Sequence, residues 1–281
     1  MKKTIISFSL AAALGAVAMT SVAQTAAPAQ AAATPDWTVT GNATLISDYR
    51  FRGFTQTNYG PAFQGGFDVA HKSGFYLGNW NSNVAQALYA GASLESDFYG
   101  GLKGELVKDL GYDVGVLHYM YAKSGKGYTF SSLPKIDNTE VYGGLTYGPF
   151  SGKLFYATGD YFKTAALAES LTGQRFNKTD KSTYLDLSYS QEFNGITVGA
   201  HYGLLTLRNA KQFTTASDAG ATTLPKTVGD YKVSAGMDVG GGYIGTVAVY
   251  GTTKKAYFAT DLGAVESAGK TSLVLSLGKT F

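Results

Sequence analysis

The sequence predicts an all-β fold, a transmembrane antiparallel up-and-down β-barrel of about twelve strands, on three observations. Hydrophobicity alternates with period two after Pro35, so each segment has one apolar and one polar face. The alternating segments run to about 9–11 residues, enough for a tilted strand to cross hydrocarbon, whereas ordinary sheet strands are commonly about 5–6. Short turns and long polar loops alternate between them, as in barrels with short periplasmic turns and longer extracellular loops.

The segments follow in order. Residues 37–48 open the series, with Trp37, Val39, Gly41, Ala43 and Leu45 alternating against Thr38, Thr40, Asn42 and Thr44. After the loop 50–61 come 62–71 and 75–83, joined by the turn Lys72-Ser73-Gly74. Residues 92–106 are the fourth, and the irregular stretch 79–92 makes the third and fourth the least regular. Residues 112–122 and 139–147 flank the loop 123–138. The turn Pro149-Phe150-Ser151-Gly152 leads into 153–162, and the loop 163–181 into 182–193. Asn194-Gly195 turns the chain into 196–207, and the loop 208–229 precedes 230–240. There Tyr231, Val233, Ala235, Met237 and Val239 alternate with Lys232, Ser234, Gly236 and Asp238. Gly240-Gly241-Gly242 turns into 243–253, and after the loop 254–269 the last strand is 270–281. Its apolar parity runs Leu273, Leu275, Leu277, Phe281, with Lys279 the exception. A terminal aromatic on such a strand resembles the signal read by the barrel-assembly machinery of the outer membrane. Near an interface Lys279 can snorkel to the headgroups.

Composition agrees. Of 281 residues, 15% are charged, against about 25% in an average soluble domain. Aromatics reach 14%, and Tyr and Phe recur near segment ends as an interfacial girdle requires. Cys is absent, which removes thiol nucleophiles, thiolate metal sites and disulfides together. Lys2 and Lys3, the apolar run 5–19 and the small residues Ser21-Val22-Ala23 read as a signal peptide, 1–23, cleaved before Gln24; a site after Ala31 is the alternative. Residues 24–36 then form a flexible lead-in and 37–281 the barrel. Without the leader, 21 basic residues face 20 acidic ones. That is no basis for nucleic-acid binding, which needs basic residues concentrated on one face.

The block Ser47-Asp48-Tyr49-Arg50-Phe51-Arg52-Gly53-Phe54-Thr55-Gln56-Thr57 continues through Gly60-Pro61-Ala62-Phe63-Gln64-Gly65-Gly66-Phe67-Asp68 and Ser73-Gly74-Phe75-Tyr76. Further blocks are Leu110-Gly111-Tyr112-Asp113-Val114-Gly115, Glu140 to Phe150 and Ser182 to Tyr189. Together they resemble the TorF-type porins, a proteobacterial family first catalogued as conserved proteins of unknown function. The resemblance spans most of the chain after the leader; the loops 163–181 and 208–229 depart from it. It implies an outer-membrane location, contact with outer-membrane lipid and a porin-like role for small solutes, and names neither solute nor oligomeric state.

The chemistry-bearing residues follow from parity. Asp48, Asp68, Glu95, Asp97, Asp113, Glu140, Asp186 and Asp238 are expected to face the interior, with Lys103, Lys232 and His201. A lipid-facing Arg or Lys at the midplane would cost about 2–4 kcal/mol. Arg50 and Arg52 stand where the first strand meets its loop. Either they raise anion concentration at a pore mouth, or they pair with inward carboxylates and hold the loop. The inward charges line a water-filled lumen or pack as an ion-paired plug; a narrow pore suits a barrel between the filled eight strands and the open sixteen. His118 falls outward beside Val116 and Met120, and His71 near a turn. No motif fixes a nucleophile within hydrogen-bond reach of a base, so no catalytic residue is expected. Gly240-Gly241-Gly242-Tyr243-Ile244-Gly245 satisfies a dinucleotide fingerprint, but a strand follows where that site needs a helix. No cofactor and no metal is expected.

Overall fold

The computed structural model describes residues 35–125, 133–217, 220–223, 225–254 and 268–281. The signal peptide and nearly all of the lead-in fall outside them, as do parts of the loops 123–138, 208–229 and 254–269. Twelve antiparallel strands close into one barrel. They are β1 Trp37–Ile46, β2 Ala62–His71, β3 Phe75–Asn83, β4 Leu94–Val107, β5 Leu110–Tyr121 and β6 Asp137–Tyr147. The remainder are β7 Phe150–Ala157, β8 Thr183–Phe193, β9 Ile196–Thr206, β10 Thr227–Asp238, β11 Tyr243–Thr252 and β12 Ser272–Thr280. Each pairs with its chain neighbour, and β12 pairs back onto β1, so no edge is left open.

Period two sorts every strand. The outward positions Val39, Leu77, Leu102, Val114, Leu145, Leu154, Leu187, Val233, Val247 and Leu275 are exposed large hydrophobics. On the opposite parity Tyr76, Tyr99, Tyr142 and Tyr184 are buried in the interior. Exposed aromatics cluster at both ends of the wall. Trp37, Phe75, Tyr147, Phe150 and Tyr243 stand at the short-turn end, and Phe63, Tyr156, Tyr202 and Tyr231 nearer the long loops. The two bands match interfacial girdles.

The β1–β12 ladder closes the barrel, and the last residue extends it past Thr280. Phe281 donates from its N–H to Gly41 O at 2.9 Å and accepts from Gly41 N–H at 2.6 Å. Its ring lies across Gly41, where a Cβ would stand 2.6 Å from Phe281 Cε2. Lys279 lies outward on β12, its ammonium 4.6 Å over the Tyr243 ring, near the short-turn rim.

Several bounds move by a few residues, most of all at β7, which ends at Ala157 and not at 162. β7 begins at Phe150, not Lys153, because the chain reverses at Gly148, whose φ of +55° makes the turn two residues. Phe150-Ser151-Gly152 therefore belongs to the strand, although its residue types resemble a turn. The loop after β7 holds a helix, α1 Thr164–Thr172, rather than irregular chain alone. Asp160 accepts from the N–H groups of Ala165 and Ala166, and Gly173 ends the helix at φ +71°.

Candidate functional site

The interior is built from two levels. At the long-loop end the segment after β1 folds into the barrel instead of projecting from it. Arg50–Phe51 pairs with Phe54–Thr55 in a two-rung ladder separate from the barrel wall. Arg52 and Gly53 make its turn with φ of +47° and +81°. At Gly53 a Cβ would stand 2.5 Å from Thr252 Cγ2 and 2.7 Å from Asp230 Cβ, so only glycine lets the turn rest against the inner face of β10 and β11.

Both guanidiniums are fully engaged. Arg50, whose side chain is 0% exposed, meets Asp48 Oδ2 at 2.5 Å. It also donates to the carbonyls of Gly53, Ala268 and Lys270, each at 3.1 Å, and to Ser272 Oγ at 2.8 Å. Arg52 crosses the lumen to a bidentate pair with Glu140 on β6, at 3.0 and 2.7 Å, and donates to the Tyr161 hydroxyl at 2.6 Å. Its guanidinium lies 4.1 Å from the Tyr184 ring centroid. Burial is the largest single influence and works against its charge, but Glu140, Tyr161 and Tyr119 together outweigh it, so its pKa rises above the usual arginine range. Phe51 adds edge contacts to Tyr119 and Phe162. Of the two roles open to the arginines, the geometry is that of carboxylate pairing that pins a loop.

Glu95 and Asp97 are also buried at this level. The Tyr49 hydroxyl donates to Glu95 Oε1 at 3.1 Å, while Glu95 Oε2 and Asp97 Oδ1 have no hydrogen-bond partner among the described residues. Burial raises the phenol pKa values of Tyr49, Tyr89 and Tyr161 above the usual tyrosine range.

The wall also carries charges in register, in a row that climbs from near the short turns at Lys103 and Asp113 to the plug at Asp230. Lys103 stands opposite Asp113, Asp113 opposite Gly144, Gly144 opposite Lys153, and Lys153 opposite Asp186. The row continues through Gly203 to Asp230. Seven adjacent strands thus share one row in which five positions carry mixed charge, two cations and three carboxylates, and two are glycines. Lys153 Nζ reaches Asp113 at 2.6 Å, and the Tyr76 hydroxyl donates to the same carboxylate at 2.5 Å while also bonding the Tyr142 hydroxyl. The ammonium of Lys103 lies 5.1 Å over the Tyr76 ring. Tyr99 donates to Asp68 at 2.6 Å. Lys232 lies 5.9 Å from the Tyr250 ring.

His201 sits between two carboxylates, with Nδ1 at 3.2 Å from Asp186 and Nε2 at 2.9 Å from Asp230. Ser188 is within 3.3 Å of Nδ1 but donates to Asp186 at 2.7 Å. A triad needs one ring nitrogen on the nucleophile and the other on a carboxylate. Here both nitrogens serve carboxylates, so the arrangement is an ion-pair hub. Among the described residues no three His, Asp or Glu side chains converge to hold a metal ion.

Twelve of the thirteen residues read from parity therefore face the interior, in two groups. Asp48, Arg50, Arg52, Glu95, Asp97 and Glu140 form the plug level, and Asp68, Lys103, Asp113, Asp186, His201 and Lys232 the wall below it. Asp238 is the correction. It shares the inward parity of β10 but is exposed at the rim, where its carboxylate caps the turn by accepting from Gly240 N–H at 2.6 Å. Lys153 and Asp230 were missed. Both were legible by parity, Asp230 with Lys232 and Lys153 opposite the outward Leu154 within the expected strand 153–162.

A model of the family described as "Bacterial protein of unknown function (Gcw_chp)" matches residues 29–281. No match by sequence is found among curated proteins. Among solved structures, the NanC porin aligns at a TM-score of 0.50 and 7% identity, over 86% of this chain and 98% of that one. The KdgM porin aligns at 0.49 and 9%, over 86% and 99%. A Salmonella typhi outer-membrane phospholipase dimer aligns at 0.43 and 10%, over 86% and 89%. At such identities the likeness is one of fold, and the NanC alignment carries it: this chain has the closed barrel fold of an outer-membrane porin.

Proposed function

We propose that this chain, which belongs to the Gcw_chp family of bacterial proteins of unknown function, is an outer-membrane porin-like channel for small hydrophilic solutes or ions, narrowed by its own first loop. The observation that carries this is a closed twelve-strand wall, apolar outside and charge-lined inside, whose long-loop end is filled by one short segment outside the sheet. Twelve strands enclose more room than the eight that side chains alone can fill. The segment owes its position to side-chain bonds, chiefly Arg52–Glu140 and Arg50–Asp48, and such bonds can exchange without opening the wall. The resemblance to TorF-type porins supports the same role. Liposome swelling tests it: vesicles carrying the purified barrel should admit small neutral sugars and small electrolytes and exclude large oligosaccharides. Vesicles as tight as protein-free ones for every solute would reject it.

A second reading has its own observation. The Arg52–Glu140 pair is buried and bidentate, as in a permanent plug, and a closed structural or adhesive barrel would use its long loops to bind an external partner. Breaking the pair by Glu140→Gln separates the two. A channel gains permeability, while a solid plug stays impermeable.

A further inference from the structure

The pocket around the Arg52 side chain is built for a guanidinium rather than for a whole arginine residue. The three hydrogen bonds of Arg52 leave from its terminal nitrogens, two to Glu140 at 3.0 and 2.7 Å and one to the Tyr161 hydroxyl at 2.6 Å. The Tyr184 ring lies at 4.1 Å and the Phe155 ring at 5.6 Å, within the roughly 6 Å at which a ring face attracts a cation. These partners come from the adjacent strands β6, β7 and β8 and from the loop that follows β7. A carboxylate fork, a hydroxyl and ring faces recognise a planar, delocalised cation whatever carries it.

Arg52 is a strained occupant of that cage. It turns its two-rung ladder at a φ of +47°, in the left-handed region that disfavours any residue with a Cβ. A free guanidinium in the same cage carries no such strain. Beside the cage, Glu95 and Asp97 are 0% and 5% exposed. Glu95 Oε2 and Asp97 Oδ1 accept no hydrogen bond, and neither carboxylate joins an ion pair, among the described residues. Tyr119 connects them to the cage: it stands beside Asp97 in register, and its hydroxyl donates to Glu140 Oε2 at 3.2 Å. Asp48 and Glu140 each have an arginine, so the other two carboxylates of this level leave the chamber short of positive charge. A buried carboxylate is costly without a cation or a donor to meet it.

We infer that the Arg52 cage is a binding site for a small solute that carries a guanidinium and, a short alkyl chain away, an ammonium group. The guanidinium replaces Arg52 on Glu140, Tyr161 and Tyr184, and the ammonium meets Glu95 and Asp97. Arg52 is then the chain's own tethered ligand, and release of the first loop and binding of the solute are a single exchange. Glu140 keeps a cationic partner throughout, so no buried charge is stranded as the loop moves. The inference names the class of solute for the channel reading and rests on that reading for the solute's passage.

Agmatine carries this pair of groups, and titration calorimetry with the unaltered barrel in detergent tests the site without any permeation step. Saturable binding of a single agmatine is expected, with ethylguanidine, which lacks the ammonium, about tenfold weaker for the loss of a charged contact. Agmatine at millimolar concentration should also speed proteolysis within residues 50–60, because it displaces Arg52. Glu140→Gln should weaken agmatine binding about tenfold. Glu95→Gln with Asp97→Asn should bind agmatine no better than ethylguanidine, in a barrel that still shifts its gel migration on boiling. No saturable binding of agmatine to the folded, unaltered barrel overturns the inference. So does binding that these substitutions leave unchanged, or cleavage that agmatine does not speed. Agmatine bound in detergent but excluded by vesicles would uphold the site and reject the channel.

Discussion

At the scale of single residues the account turns on Arg52. Its partner Glu140 lies 88 residues away on β6, and the pair is bidentate and buried. Removing one partner of a buried pair strands the other charge, typically at about 3–5 kcal/mol. Arg52→Ala should therefore loosen the inward segment by an amount of that order, read as faster proteolysis within residues 50–60 of the folded barrel; cleavage no faster than in the unaltered chain would contradict the latch. The tyrosines of the plug add a pH dependence. Burial lifts the phenols of Tyr49, Tyr89 and Tyr161, so the folded state favours their neutral form. The unfolded phenol titrates near about 10. Their contribution is thus complete below that pH and declines as pH rises through the folded values. The barrel should melt at a lower temperature near pH 11 than near pH 8, and replacing the three tyrosines by Phe should shrink the difference. The sequence placed Arg50 and Arg52 beside the first loop but could not choose their role. Parity governs strands, whereas the course of a loop depends on partners distant in the chain.

Elements were the most legible scale. All twelve strands are visible as period-two runs because a lipid-facing position punishes charge and an inward one accepts it. The misread turn before β7 and the missed α1 share a cause. Phe150-Ser151-Gly152 has the residue types of a turn, and Ala165 to Leu171 has those of a helix, so residue type and strand parity disagree at both places. The Ala- and Leu-rich run ending at Gly173 was a usable signal. The glycine turn between β10 and β11 was read correctly as a hairpin. Gly240, Gly241 and Gly242 all take positive φ, at +117°, +64° and +75°. Gly241→Ala with Gly242→Ala should cost about 1–2 kcal/mol per position and slow refolding of the barrel into detergent. The boiling-dependent shift in gel migration measures that yield, and an unchanged yield would mean the turn is not held to these angles.

For the whole molecule, the charge pattern unites the two levels of the interior. The row from Lys103 to Asp230 lines the wall with mixed charge and rises to the level of the Arg52–Glu140 bridge, where Asp230 meets Gly53. Parity made the inward charges legible, but their division into plug and wall was not. That division depends on the stagger of neighbouring strands, which places residues far apart in sequence at one height. The central claim is that this wall encloses a conduction path narrowed by the first loop. Single-channel recording in planar bilayers tests it most directly, comparing the unaltered chain with one whose residues 50–57 are replaced by a Gly-Ser segment. The account predicts discrete, small steps from the first and severalfold larger steps from the second. No steps from either protein, with both folded by the boiling shift, would contradict it.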